Sequence, residues 1–160
     1  MAAPEGVRFR DLLLDPGYWR PRLEKLGTVP WRLLVFPRPD LSRPGVEVIE
    51  LSMRAHDGVD LRCILARPAF SSAGDVVHLR VVEEFAFAEP DWNLIEEGRT
   101  DLVVTFPPQR RLEDRVLDVL RVTQAAASAE TLDWERVDLS THPGCDELVL
   151  ADLLRAKGWA

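Results

Sequence analysis

Two stretches of alternating polarity, joined by one tight turn, constrain this chain more than anything else in it. Val46 to Ala55 alternates, with Ile49, Leu51 and Met53 on one side. His56-Asp57-Gly58 follows. An Asp-Gly pair between alternating runs signals a hairpin, because glycine takes the positive φ that a tight turn demands. Val59 to Arg67 alternates again, with Val59, Leu61, Cys63 and Leu65 on one side, and Pro68 ends the run. The pattern predicts an antiparallel hairpin with one buried face.

The remaining segments fit around that hairpin. Residues 1–7 read as a flexible tail, and Phe9 to Leu14 as a helical turn. Tyr18 to Leu26 reads as a short helix. Pro21 falls in its first turn, where a missing N–H is tolerated, and Gly27 suits the C-terminal cap. Val29 to Phe36 is an extended segment that Pro30 keeps out of a central ladder position. Beyond the hairpin, Val76 to Val82 is a predicted strand. Trp92 to Glu97 is a short helix that Asp91 caps and Gly98 ends. Leu102 to Phe106 is a strand stopped by Pro107-Pro108.

Arg111 to Ala127 is the longest helix. Its apolar stripe is Leu112, Val116, Val119, Leu120, Thr123 and Ala127, and Arg110, Glu113, Asp114, Arg115, Asp118 and Arg121 take the rest of its surface. The chain closes with a strand (Arg136 to Ser140), a turn (Thr141 to Cys145) and a helix (Asp146 to Lys157). Strands alternating with helices predict an α/β fold in one domain, 1–160. Its sheet is expected to be mainly parallel, with the antiparallel hairpin at the N-terminal side and helices on both faces.

Composition narrows the function. Asp and Glu number 27 against 20 Lys and Arg, a net charge of -7, with no basic stripe to follow a phosphate backbone; nucleic acid is not an expected partner. The two cysteines, Cys63 and Cys145, are too few for a disulfide scaffold and suit a reducing compartment. Met1 to Arg10 has no apolar leader core, and no apolar run approaches the ~20 residues of a membrane span. These features predict a cytoplasmic protein with no membrane partner. No cofactor-binding motif and no complete metal-ligand cluster occurs in the sequence.

Several of these segments together resemble the acetyl xylan esterase branch of the α/β-hydrolases. They are the hairpin Val46 to Pro68, with Asp57-Gly58 at its turn and Pro68 closing its second strand, and Val76-Val77-His78, placed like the strand before that family's oxyanion loop. Arg110 to Ala127 is placed like the helix before the nucleophile strand, and Asp133 to Ser140 is similar to the approach to the nucleophile elbow. The resemblance runs from about residue 8 to 158 and implies an incomplete α/β-hydrolase-like fold. It departs from the family where chemistry is expected. The elbow G-x-S-x-G needs a serine on a strained turn flanked by glycines; here the turn reads Ser140-Thr141-His142-Pro143-Gly144-Cys145-Asp146. Leu79-Arg80-Val81 after His78 has no glycine. The family's acid and base follow the nucleophile, whereas His56, His78 and His142 all precede Cys145.

Two candidate catalytic residues remain. Cys145 precedes a helix, where a thiolate is stabilised, and His142 is three residues away as a possible base. Asp146 and Glu147 work against this, since negative neighbours raise a thiol's pKa. Both a catalytic role and a plain turn role stay open. His142, Cys145 and Asp146 make only a partial metal set, so no metal is expected. Glu83-Glu84 and Glu96-Glu97 read as solvated surface. Trp19, Trp31, Trp92, Trp134 and Trp159 stand near element boundaries and read as core edge or interface.

If the strand Arg136 to Ser140 has no further strand beyond it, it forms a sheet edge with unpaired backbone groups, which Asp138 only partly blunts. A second chain is therefore expected there, as a homo-oligomer or a protein partner. The expected interface is Arg136, Asp138 and Ser140 from the strand with Leu148, Ala151 and Leu154 from the helix. The function that fits is a non-catalytic α/β-hydrolase-like domain acting by association. The alternatives are a carboxylic-ester hydrolase or deacetylase with a divergent or partner-completed site, and a small acidic binding or immunity-type protein.

Overall fold

A computed structural model describes residues 15–69, 77–82, 89–130, 137–138 and 146–156. Its elements in chain order are α1 (Pro16–Thr28), β1 (Leu34–Pro37), β2 (Val46–Arg54), β3 (Asp60–Pro68), β4 (Val77–Val82), α2 (Trp92–Glu96), β5 (Thr100–Thr105), α3 (Leu112–Glu130), β6 (Val137–Asp138) and α4 (Asp146–Ala156).

Helix α1 starts earlier than the sequence pattern suggests. The Asp15 carboxylate accepts the Tyr18 N–H at 3.2 Å and Pro16 opens the first turn, so Pro21 lies inside the helix. A proline there forfeits one backbone hydrogen bond. The helix also runs through Gly27 to Thr28, and Val29 is the cap. Trp19 and Leu26, two turns apart, are its buried residues.

The hairpin forms as expected, in full register from Val46↔Pro68 to Arg54↔Asp60. Gly58 turns it with φ 83°, and the Ala55 N–H closes the loop on the Val59 carbonyl at 2.8 Å. Ile49, Leu51, Met53, Leu61, Cys63 and Leu65 all enter the larger core. Val59, assigned to the same face by alternation, is exposed, because it lies in the turn and not in the ladder.

The sheet order is β1-β2-β3-β5-β4-β6. β1, β2, β3 and β5 run antiparallel to their neighbours, and β5, β4 and β6 run parallel. The architecture is α/β, and its sheet is mixed. The antiparallel part is wider than the hairpin alone, because β1 adds to its outer side and β3 pairs antiparallel with β5. The parallel part is built by two crossovers, β4-α2-β5 and β5-α3-β6, and the second carries the chain past β4.

Helices lie on both faces. On one, α2 places Ile95 over Val48, Ile64, Ala66 and Val103. On the other, α1, α3 and α4 bury Leu51, Met53, Leu79, Leu102 and Val104. Helix α3 is enclosed almost all round through its middle, with Val116 to Thr123 buried without a break. That differs from a stripe with a charged outer surface. Its outer side faces α4 and the end of α1, so charged residues there must find partners inside the protein.

Arg121 does so. It is fully buried and donates to the carbonyls of Arg54 at 2.8 Å, Leu26 at 3.0 Å and Val29. Its guanidinium also stands 5.3 Å from the Trp31 ring centre. Replacing Arg121 by Met keeps much of the packing but leaves one buried and two part-buried carbonyls without this donor. Losing hydrogen bonds to a charged donor and leaving acceptors unpaired predicts destabilisation on the order of 3 kcal/mol or more. Urea unfolding of Arg121→Met beside the wild type measures this.

Candidate functional site at the carboxyl edge of the sheet

In an α/β sheet the carboxyl ends of the parallel strands are the usual place for chemistry. Here that edge carries Val82 and Thr105, the last residues of β4 and β5. The antiparallel pairing of Arg62 with Thr105 brings the start of β3, and hence the turn His56-Asp57-Gly58, to the same edge. Helix α3 begins beside it after Phe106-Pro107-Pro108-Gln109. Gln109 takes φ 60°, an uncommon value for a side-chain-bearing residue and one that clusters at functional turns.

Five ionisable side chains meet where the hairpin turn touches the first turns of α3. Arg110 is 6 % exposed and forks onto Asp118, itself 0 % exposed, with bonds of 3.0 and 2.7 Å. Its remaining nitrogen donates to Asp57 in the hairpin turn. His56 Nε2 lies 2.8 Å from Asp114 Oδ1. Burial pushes the Asp118 carboxyl above the usual carboxylate range, with Arg110 opposing. At Asp57 partial burial again opposes ionisation, but Arg110 prevails and holds the carboxyl below the usual range. The cluster clamps residues 56–57 to residues 110–118.

The sequence pattern did not show this constellation. It assigned His56-Asp57 to a turn and the α3 charges to the helix surface outside the apolar stripe. A signal was available: Arg110, Asp114 and Asp118 recur every four residues with mixed sign, and Arg121 continues the row. Cys63 belongs to the core, where burial pushes its thiol well up and leaves it inert. Among the described residues no group of three His, Cys, Asp or Glu side chains is arranged to hold a metal.

The candidates read from the sequence fall as follows. Cys145, His142, Arg136 and Ser140 lie outside the described residues. Asp138 lies in β6, paired in register with His78 of β4. Leu148, Ala151 and Leu154 correct the expected interface. All three are buried in this chain's own core, where α4 packs against α3, and have no surface to offer a partner. A short helix whose apolar face completes the core has already used that face. Glu147 of α4 reaches within 3.9 Å of Arg115 of α3, so the first turns of the two helices adjoin. Glu96 and Glu97 are exposed as expected. Among the described tryptophans, Trp19 is core, while Trp31 and Trp92 are partly buried at its margins.

No protein-family model matches the sequence, and no curated protein does. The structure does have likenesses. It is similar to an acetyl xylan esterase from Paenibacillus sp. R4, with a TM-score of 0.60, 12 % identity and coverage of 75 % of this chain and 48 % of that one. It is also similar to acetyl xylan esterase 1 from Thermoanaerobacterium sp. JW/SL YS485, with a TM-score of 0.51, 14 % identity and coverage of 77 % and 47 %. The fold is α/β-hydrolase-like. The chain spans about half the length of these two esterases. At such identities the likeness concerns fold and carries no activity with it. The described cluster stands on the hairpin side of the carboxyl edge of the sheet.

Two expectations follow from the cluster. Asp118→Ala leaves a buried guanidinium without its main partner, and breaking such a pair costs about 3–5 kcal/mol, readable as a lower urea midpoint. Asp57 gives the pH dependence. Its folded pKa is depressed, so its contribution is present above the unfolded value of about 4 and is lost as pH falls through the folded one. Asp57→Asn should therefore lose less stability than the wild type between neutral and acid pH, by urea unfolding across that range.

Proposed function

We propose that this α/β-hydrolase-like chain acts by association with a protein partner and not by ester hydrolysis. The observation that carries the reading is the outer strand β1. Leu34, Val35 and Phe36 stand 55, 46 and 43 % exposed in a row on the outermost strand of the sheet, with no strand beyond it among the described residues. Contiguous exposed apolar residues on an unpaired edge are what a partner covers, and what a solvated edge avoids. The turn sequence adds support, since residues 140–146 lack the G-x-S-x-G that places a nucleophile on this fold. The ion pairs of the carboxyl edge point the same way, because Arg110 is committed to Asp118 and Asp57. A small acidic binding or immunity-type protein unrelated to the hydrolases has less support, since the sheet contains two parallel crossovers.

Carboxylic-ester hydrolysis has one observation in its favour. His56 beside Asp114 is a histidine oriented by a carboxylate at the expected edge of the sheet, an arrangement used in general-base catalysis. Hydrolysis of p-nitrophenyl acetate by the wild type, Cys145→Ala and His56→Ala separates the readings. The expected result is no rate above background for any of the three. A wild-type rate that either substitution abolishes would establish the hydrolase instead.

A further inference from the structure

Resting on the association reading, we propose that the partner is a second copy of this chain, paired β1 to β1, antiparallel and centred on Val35. The backbone sets the register. Arg38 donates its N–H to the Val48 carbonyl at 3.0 Å, so by alternation the amides of Leu34 and Phe36 also face β2. Those of Leu33 and Val35 face outward, and at Pro37 the outward amide does not exist. The other end is closed by a bulge. Arg54 donates to the Trp31 carbonyl at 2.7 Å, although the register continued from Leu34↔Ser52 would set Arg32 opposite it, and Arg32 has φ 50°. The edge left open among the described residues is thus a short window from Leu33 to Pro37, which limits pairing to one strand in one place.

Within that window the strand complements itself. Centred on Val35, the two Val35 residues exchange both backbone hydrogen bonds, and each Leu33 N–H meets the partner's Pro37 carbonyl. Leu34 and Phe36 share the sheet face of Ser52 and Glu50, and each Leu34 then stands directly opposite the partner's Phe36. Centring on Phe36 loses the donor at Pro37, and centring on Leu34 sets Phe36 against the Arg32 bulge. Charge does not oppose the register. Arg32 is exposed, with no ion pair among the described residues, and falls opposite the partner's Arg38. Arg38 at that end is already matched by Asp40 and Glu50. An isologous pair of this kind joins two sheets into one and closes without further growth.

The test uses the full chain. Light scattering should give a dimer mass that dissociates on dilution. Leu34→Cys with Phe36→Cys should form a disulfide-linked dimer on oxidation, and Leu34→Cys alone should not, because only the Val35-centred register sets positions 34 and 36 opposite each other. Val35→Pro removes an outward amide and none that β1 gives to β2, and should yield a monomer with an unchanged circular dichroism spectrum. Phe36→Glu should do the same should Val35→Pro fail to fold. A dimer that persists in Val35→Pro or Phe36→Glu, with no cross-link in the double cysteine variant, overturns the β1 pairing and leaves association standing. A wild type that is monomeric at every concentration also overturns it. If that monomer hydrolyses p-nitrophenyl acetate, the association reading falls with it.

Discussion

Arg121 joins three segments that share little else. Its guanidinium reaches the Leu26 and Val29 carbonyls at the end of α1 and the Arg54 carbonyl at the end of β2. No carboxylate balances it in this contact. Its charge is solvated by backbone oxygens, two of them at the carbonyl-rich end of a helix, where the macrodipole is negative. Burial alone presses its pKa down, and the three carbonyls are what make a cation tolerable there. Arg121 thereby ties the ends of α1 and β2 to α3, the enclosed helix of the larger core. A lysine could not reach three divergent acceptors from one planar fork.

The same chemistry recurs on the other face. Asp101, fully buried in β5, accepts Arg80 twice at 2.8 Å and the Asp91 backbone N–H at 2.9 Å, which fixes the start of α2 over the sheet. Glu50, buried in β2, accepts both Arg38 and Arg62. The chain has two lysines among its 20 basic residues, and a strong arginine bias reads from the sequence as composition alone. In the structure the bias has a use. A carboxylate offers two oxygens in a plane, and one guanidinium satisfies both at Asp101 and at Asp118, while Glu50 gives one oxygen to each of two arginines. An acidic protein with buried acids on both sheet faces needs cations of that shape.

Legibility in the sequence followed how local the governing interaction is. The hairpin, the Asp91 cap, the Gly98 stop and the order of strands and helices depend on neighbours in the chain, and their patterns read correctly. The position of Pro21 within α1 was misread because the start signal, Asp15 with Pro16, lies five residues upstream of it. The burial of Asp118 and Arg121 depends on α1, α4 and the hairpin turn, all distant in sequence, so a helical wheel of α3 could only assign them to water. Leu148, Ala151 and Leu154 failed as interface residues for the same reason. An amphipathic stripe says that a helix face is covered, not whether its own chain or another does the covering.

What the carboxyl edge can do follows from how much of it is already spent on structure. On the hairpin side, His56, Asp57, Arg110, Asp114 and Asp118 hold β2, β3 and α3 together, and a reaction that moved charge there would disturb the fold. The segments that follow β4 and β6 lie outside the described residues and are known by sequence. The first reads Glu83-Glu84-Phe85-Ala86-Phe87-Ala88 and the second Leu139-Ser140-Thr141-His142-Pro143-Gly144-Cys145. An oxyanion loop and a nucleophile elbow both require backbone to approach closely, which glycine permits and a Cβ resists. Across these thirteen positions glycine occurs once, at Gly144. With the hairpin side committed to ion pairs and both sequences poor in glycine, the association reading rests on the outer edge of the sheet among the described residues, where Leu34, Val35 and Phe36 are exposed.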